Sequence, residues 1–239
     1  IEEILALGLD RIELGYDLRA ELIPGVRALV ESKAVRVDSV HNFCPVFFFY
    51  DRANTDIYTP ASTDRREREY AVTHISRTLR FAAEMGAKVV VCHSGNVDMP
   101  KYSFDLVRMA ARGEQFGEPY EALKLKAQIA RDKKAPKQIE YLSESLHALL
   151  PVVQETGVRL ALENLPTWEA LPSELEATQL MKRFHGSGIR LWWDIGHAQI
   201  RANLGFINAA RWLRIESPAV SQRPAAEIGR IEIEYDLAD

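Results

Sequence analysis

Residues 158–164 read Val-Arg-Leu-Ala-Leu-Glu-Asn, and residues 188–197 read Gly-Ile-Arg-Leu-Trp-Trp-Asp-Ile-Gly-His. Each is a short apolar run that ends on an ionisable residue, Glu163 in the first and Asp194 in the second. Both runs follow a glycine, Gly157 and Gly188, and each has a helix-like stretch before it. A helix, a glycine stop and then a buried β run is the punctuation of αβ connections. The same rhythm extends along the chain. Further strands are expected at Arg11–Leu14 (RIEL), Val35–Val40 (VRVDSV) and Lys88–Cys92 (KVVVC), besides Val158–Leu162 and Ile189–Trp193. Helices are expected at Leu18–Ser32, Asp64–Met85, Ala135–Glu155 and Ser173–Phe184. In the second of these, Ala71, Ile75, Leu79 and Ala82 keep a three-to-four spacing.

Strands alternating with helices imply a mainly parallel sheet, either doubly wound or closed into a barrel. No GxGxxG follows the first strand, which removes the dinucleotide-binding version. The polar residues favour a barrel. VVVC runs into His93, RLAL into Glu163 and Asn164, LWW into Asp194 with His197 three residues on, and VRVDSV into His41, while RIEL carries Glu13. In a parallel barrel every strand's C-terminal end opens onto one face, so these side chains would converge on one mouth. Imidazole and carboxylate together suit Mn, Zn, Co or Fe, with Mg where carboxylate and water dominate.

Glu163 is the strongest functional candidate, because a carboxylate directly after a buried strand is costly unless paired or metal-bound. Asp194 reads as a ligand, or more simply as the cap of the next helix. Gly196 between Asp194 and His197 would allow a tight backbone turn. Cys92 would point to the opposite side of the strand from His93, which argues against a thiol nucleophile there. Trp192 and Trp193 should face opposite ways, the first into the core and the second into the pocket wall.

The chain has 239 residues, 47% of them hydrophobic and 27% charged, which excludes disordered and fibrous classes. Thirty basic residues against 34 acidic ones give a formal charge of −4, with no basic excess for nucleic acid or a membrane surface. Cys44 and Cys92 fit no CxxC spacing and read as reduced thiols of a cytoplasmic protein. No apolar run approaches the ~20 residues of a membrane span, and the opening residues lack the basic start of a signal peptide. The chain begins without Met, inside a helical pattern, so an upstream portion is expected. Two segments break the rhythm. Asn42–Thr63 is long and aromatic, the character of a lid or wall, and its Phe47–Tyr50 run suits either core or pocket cover. Lys101–Lys137 reads as inserted helices, with a solvated mixed-charge face over Lys124–Lys137.

The stretches GLDRIELGY, VVVCHSG, LALENLP and LWWDIGHAQ followed by NLGF resemble the sugar phosphate isomerase/epimerase family, whose fold is the xylose isomerase-like TIM (β/α)8 barrel. Endonuclease IV is a more distant member of that superfamily. The resemblance covers about residues 1–213 of a single domain spanning 1–239, with 214–239 an atypical tail. It implies a divalent metal (Mn, Zn, Mg or Co) at the C-terminal mouth, with Glu163 and Asp194 as ligands and Glu163 also a base. His197 matches a position that contacts substrate in the epimerases and metal in the endonuclease branch. His93 and His41 match strand-end histidines that bind zinc in that branch and line the pocket in many isomerases. His93 is taken as a third ligand, His197 as catalytic, and His41, His197, Trp193, Glu13 and Asn164 as substrate-binding.

Against the family pattern, the first strand is absent or trimmed and no histidine follows His197. Ile215–Arg230 reads as a Pro/Ala-rich connector, and Ile231–Asp239 as a last strand whose Glu232 or Glu234 stands in for a final glutamate. The expected function is metal-dependent isomerisation or epimerisation of a sugar, keto-sugar or polyol-like substrate through a metal-stabilised enediolate, with a lyase or dehydratase as a variant. The expected partner is a small carbohydrate, with no nucleic acid and no membrane, and self-association into a homo-oligomer is compatible with the sequence. The competing expectations are a zinc-dependent abasic-site endonuclease and a degenerate barrel that only binds a small ligand.

Overall fold

A computed structural model describes residues 1–46, 54–115 and 117–206. Phe47–Tyr50, the Ile215–Arg230 connector and the tail with Glu232 and Glu234 lie outside the described residues. Five strands, β1 (Arg11–Leu14), β2 (Arg36–His41), β3 (Val89–Cys92), β4 (Arg159–Glu163) and β5 (Ile189–Trp192), form one sheet in the order β1-β2-β3-β4-β5, every pair parallel. This order has no reversal. Right-handed crossovers between successive neighbours leave all the helices on one face and free the other face to become a barrel interior. A doubly wound sheet would reverse its order part-way. The chain is thus an α/β barrel with five parallel strands among the described residues.

The helices are α1 (Glu2–Ala6), α2 (Ile23–Glu31), α3 (Arg65–Glu84), α4 (Tyr102–Ala111), α5 (Glu118–Thr156), α6 (Glu174–Arg183) and α7 (Ile195–Asn203). Asp64 caps α3 through a side-chain bond to the Arg66 amide, and Ser173 with Glu176 forms a capping box on α6. Ile75 and Leu79 of α3 and Leu142, Leu146 and Leu149 of α5 are fully buried against Val90, Cys92, Leu160 and Leu162 of the sheet. Burying each such side chain is worth roughly 1.5–3 kcal/mol. Because alternate strand residues take opposite faces, Val91, Ala161 and Glu163 point away from these helices, into the barrel.

The expected helix beginning at Ala135 is the second part of α5, which runs unbroken through Pro136 for 39 residues. Proline disfavours a helical residue before it, but the buried stripe Ala127, Arg131, Ala135 and Gln138 holds the helix together across that point. Arg131 corrects the expectation of a wholly solvated face. It is 3% exposed and donates to the carbonyls of Trp168 (2.8 Å) and Ala170 (2.9 Å), and in a fork to Glu176. Its guanidinium ties α5 to the loop between β4 and α6. No described helix is long and apolar enough to cross a membrane.

Candidate active site

Glu163 ends β4 with 6% of its surface exposed and stands at the centre of the mouth. Its Oε2 lies 3.1 Å from His93 Nε2 and 3.3 Å from His41 Nε2. Its Oε1 lies 3.4 Å from His197 Nδ1. The His41 and His93 rings meet edge to face, with centroids 5.1 Å apart, and Tyr16 packs edge-on against His41. Strand register accounts for one of these meetings. Cys92 pairs with Leu162, so His93 and Glu163, one step further on, arrive at the same level, while His41 pairs with Val91, two residues before His93.

Asp194 is both cap and site residue. Its Oδ1 accepts from the His197 amide at 2.7 Å and starts α7, leaving Oδ2 3.7 Å from His197 Nδ1. Gly196 lies inside α7 rather than in a tight turn, which corrects the sequence expectation. A Cβ there would stand 3.2 Å from the capping Oδ1, so the glycine keeps room for the carboxylate.

The imidazole nitrogens define what the site can hold. His41 Nδ1 lies 3.0 Å from the Asn42 carbonyl and His93 Nδ1 3.0 Å from Asp56 Oδ1, both pure acceptors. Each ring must therefore place a proton on Nδ1, and a neutral ring then turns its Nε2 lone pair toward Glu163. A lone pair facing a carboxylate needs a positive charge between or upon the two groups. A divalent cation meets that need, as does a proton, so the donor set fits a metal. Two groups bring their ligand atoms within 4.8 Å of one another: His41, His93 and Glu163, and Glu163, Asp194 and His197. Glu163 belongs to both.

Burial opposes ionisation of Glu163, but hydrogen bonds from His197, His41 and His93 outweigh it and hold the carboxyl far below its ordinary range. Burial likewise works against charge on His93, yet Asp56 and Glu163 raise it to about 9. The bond to Glu163 raises His197, against the opposing effect of burial. Cys44 and Cys92 are free buried thiols; desolvation pushes Cys44 up to about 12 and raises Cys92 as well.

His41, His93, Glu163, Asp194 and His197 come together as the strand-end pattern suggested. Three other candidates are placed differently. Asn164 is fully buried, and its amide is spent on the backbone of Asp194, donating to the carbonyl (2.9 Å) and accepting from the amide (2.7 Å). It braces Asp194. Trp193 packs with Ala177, Leu191 and Ala198 between α6 and α7, not in the pocket wall, because it shares the face of Leu191. Glu13 accepts from Ser39 Oγ at 2.5 Å and belongs to neither ligand group. The sequence reading missed Asp56. It sits in the long aromatic segment with no hydrophobic run beside it to mark it.

The family model described as xylose isomerase-like TIM barrel matches residues 1–234, past the limit near 213 set by the recognisable motifs. A D-tagatose 3-epimerase-like protein superposes with a TM-score of 0.56 at 18% identity, covering 87% of this chain and 67% of that one. A 3-keto-D-glucoside 4-epimerase from E. coli gives 0.58 at 18%, with 89% and 67% covered. An L-ribulose 3-epimerase gives 0.54 at 16%, with 83% and 56% covered. The chain thus spans between about half and two thirds of the length of these structures, and the likeness is one of fold. No curated protein matches the sequence significantly. On the match over nearly its whole length, the chain belongs to the xylose isomerase-like TIM barrel family.

Proposed function

We propose that this chain is a divalent-metal-dependent isomerase or epimerase of small sugars or keto-sugars. The observation that carries the reading is Glu163, a buried ionised carboxylate in contact with three imidazoles at the barrel mouth. The resemblance would have Glu163, Asp194 and His93 hold the metal; around Glu163, His93 groups with His41 and Asp194 with His197. A bound cation would supply Lewis-acid polarisation of a substrate carbonyl. Three solved structures of similar fold are of epimerases or an epimerase-like protein, which agrees with this chemistry.

The chain's residues account for the proton transfer. Glu163 remains a carboxylate at neutral pH, the form that can take a proton from the carbon beside the carbonyl. His197 Nδ1 is committed to the Asn164 carbonyl at 2.9 Å, which leaves Nε2 to accept from a substrate hydroxyl. Asn164 fixes the Asp194 backbone so that its carboxylate and the first turn of α7 keep their places. Return of the proton to the neighbouring carbon gives an isomer, whereas return to the opposite face of the same carbon gives an epimer and needs a second acid on that face, a role for which Glu232 or Glu234 of the tail is the candidate.

The test is deuterium uptake from 2H2O by a panel including D-tagatose, D-psicose, D-fructose and L-ribulose, with Mn2+ present. Exchange at the carbon beside the carbonyl is expected for at least one sugar, and Glu163→Gln should lose it by about 10²–10⁴-fold. Undiminished exchange in that variant, or none with any sugar, would contradict the proposal. A zinc-dependent phosphodiesterase is favoured by one feature, the two ligand groups sharing Glu163. It is opposed by the −4 net charge, which gives no sign of the basic groove that phosphates need. Bound metal well above one ion per chain, with cleavage of abasic DNA, would select it.

A further inference from the structure

We propose that Asp56 is a positioning residue of this site: by accepting from His93 Nδ1 it fixes the ring so that Nε2 faces Glu163. The inference rests on the reading of the mouth as a metal site and names a group that this reading does not require. His93 directly follows β3, and nothing in the strand decides which way its ring turns. Asp56 Oδ1, 3.0 Å from Nδ1, supplies that decision, and the opposite nitrogen then meets Glu163 Oε2 at 3.1 Å. His41 needs no such partner, since the adjacent Asn42 carbonyl performs the same task for its Nδ1.

The loop that presents Asp56 is tied down at several points. The Asp56 amide donates to Asn54 Oδ1 at 2.8 Å, a local turn that sets the side chain's direction. Thr59 bonds through its amide and hydroxyl to Glu67 in the first turn of α3. The Ala61 amide donates to the Ser94 carbonyl, next to His93, at 3.1 Å. Gln138 of α5 donates to the carbonyls of both Ala61 and Asn96, and Ser145 donates to that of Pro60. Thr59 lies so close to the turn after β3 that a Cβ on Gly95 would stand 2.7 Å from its Cβ, and Gly95 has φ +107°. Glycine is the residue that permits this approach. Loop and strand end are therefore joined through residues 59–61, which hold Asp56 over His93 from its C-terminal side, while Asn54 sets the local turn. Asp56 itself keeps 41% of its side chain exposed, so its replacement removes a hydrogen bond without opening a cavity.

A carboxylate behind a ligating imidazole typically changes metal affinity by about 10–100-fold. The experiment compares wild type with Asp56→Ala and Asp56→Asn, the amide oxygen of asparagine keeping the acceptor without the charge. In metal-free protein, ¹⁵N NMR of the His93 ring, assigned by its disappearance in His93→Gln, should show a persistent Nδ1–H in wild type and Asp56→Asn. Asp56→Ala should lose it. Titration with Co2+, followed by its visible absorption, should show about 10–100-fold weaker binding and an altered spectrum in Asp56→Ala, with recovery to within a few-fold in Asp56→Asn. Thermal unfolding of the three metal-free proteins should remain cooperative, which separates a lost hydrogen bond from a lost fold.

Retention of the Nδ1–H signal in Asp56→Ala, or unchanged cobalt affinity and spectrum, would overturn the role of Asp56 while leaving the metal site standing. Failure of wild type to bind Co2+ would remove the metal reading, and the NMR comparison would still decide whether Asp56 orients His93.

Discussion

The two halves of the mouth are built in different ways. The half on β4 and β5 is made from short-range parts: Glu163 and Asn164 are consecutive, and Asp194 caps the helix that carries His197 three residues later. The half on β2 and β3 is assembled from a distance. His93 takes its orientation from Asp56, 37 residues earlier, on a loop that must first dock on α3 and α5. Local geometry starts the first half, with Asn164 bracing it across 30 residues, whereas in the second half His41 has a local partner and His93 depends on tertiary closure. Substitutions should therefore act differently on the two.

The largest effect is expected at the group both halves share. Glu163→Gln should cost about 10²–10⁴-fold in proton exchange while metal-free thermal unfolding stays cooperative, checked by deuterium uptake and calorimetry. Asp194 comes next, and paired variants separate its two tasks. Asp194→Asn keeps a capping oxygen and should leave stability nearly unchanged while metal affinity falls. Asp194→Ala should lose a further ~1 kcal/mol of stability with the cap. Equal metal binding by wild type and Asp194→Asn would confine Asp194 to capping. Asn164→Ala should destabilise by about 1–3 kcal/mol in urea unfolding, since it removes both partners from the half-buried Asp194 amide and carbonyl. It should weaken substrate binding only through that displacement.

The β2/β3 half should show itself in pH dependence. His93 is raised from its ordinary 6.5 to about 9 in the metal-free fold. Its charged contacts with Asp56 and Glu163 therefore contribute stability in full below about pH 6.5, and that stability is lost as pH rises through about 9. Metal binding needs the same nitrogen without its proton, so metal affinity should rise with pH over this interval. Thermal unfolding of metal-free protein and metal titration at several pH values should move in opposite directions. In Asp56→Ala both slopes should shrink. The smallest effect concerns the thiols. Cys44 and Cys92, buried with raised pKa values, should resist alkylation at pH 8 until the chain unfolds.

The same contrast explains what the sequence makes legible. His41, His93, Glu163, Asp194 and His197 stand out because each abuts or closely follows an apolar run, and the end of a run fixes the end of a strand. The strand boundaries shift by a residue, so that His41 and Glu163 belong to β2 and β4 themselves. What escaped depends on contacts between distant segments. Asp56 has no local mark. The brace formed by Asn164 follows from complete burial, and the orientation of Trp193 from the packing of α6 and α7. Arg131 reads as one more cation in a charged stretch, until Glu176 and two carbonyls, at least 37 residues later, receive its guanidinium. The unbroken α5 likewise depends on neighbours that outweigh the local preference set by Pro136.

The most direct test of the shared carboxylate is calorimetric titration of the metal-free chain with Mn2+, wild type beside Glu163→Gln. Wild type should bind about one ion per chain, and the variant should bind at least about 100-fold more weakly, more than the loss of an outlying partner would cause. Equal affinity in the two proteins would contradict the assignment of Glu163 as the centre of the site.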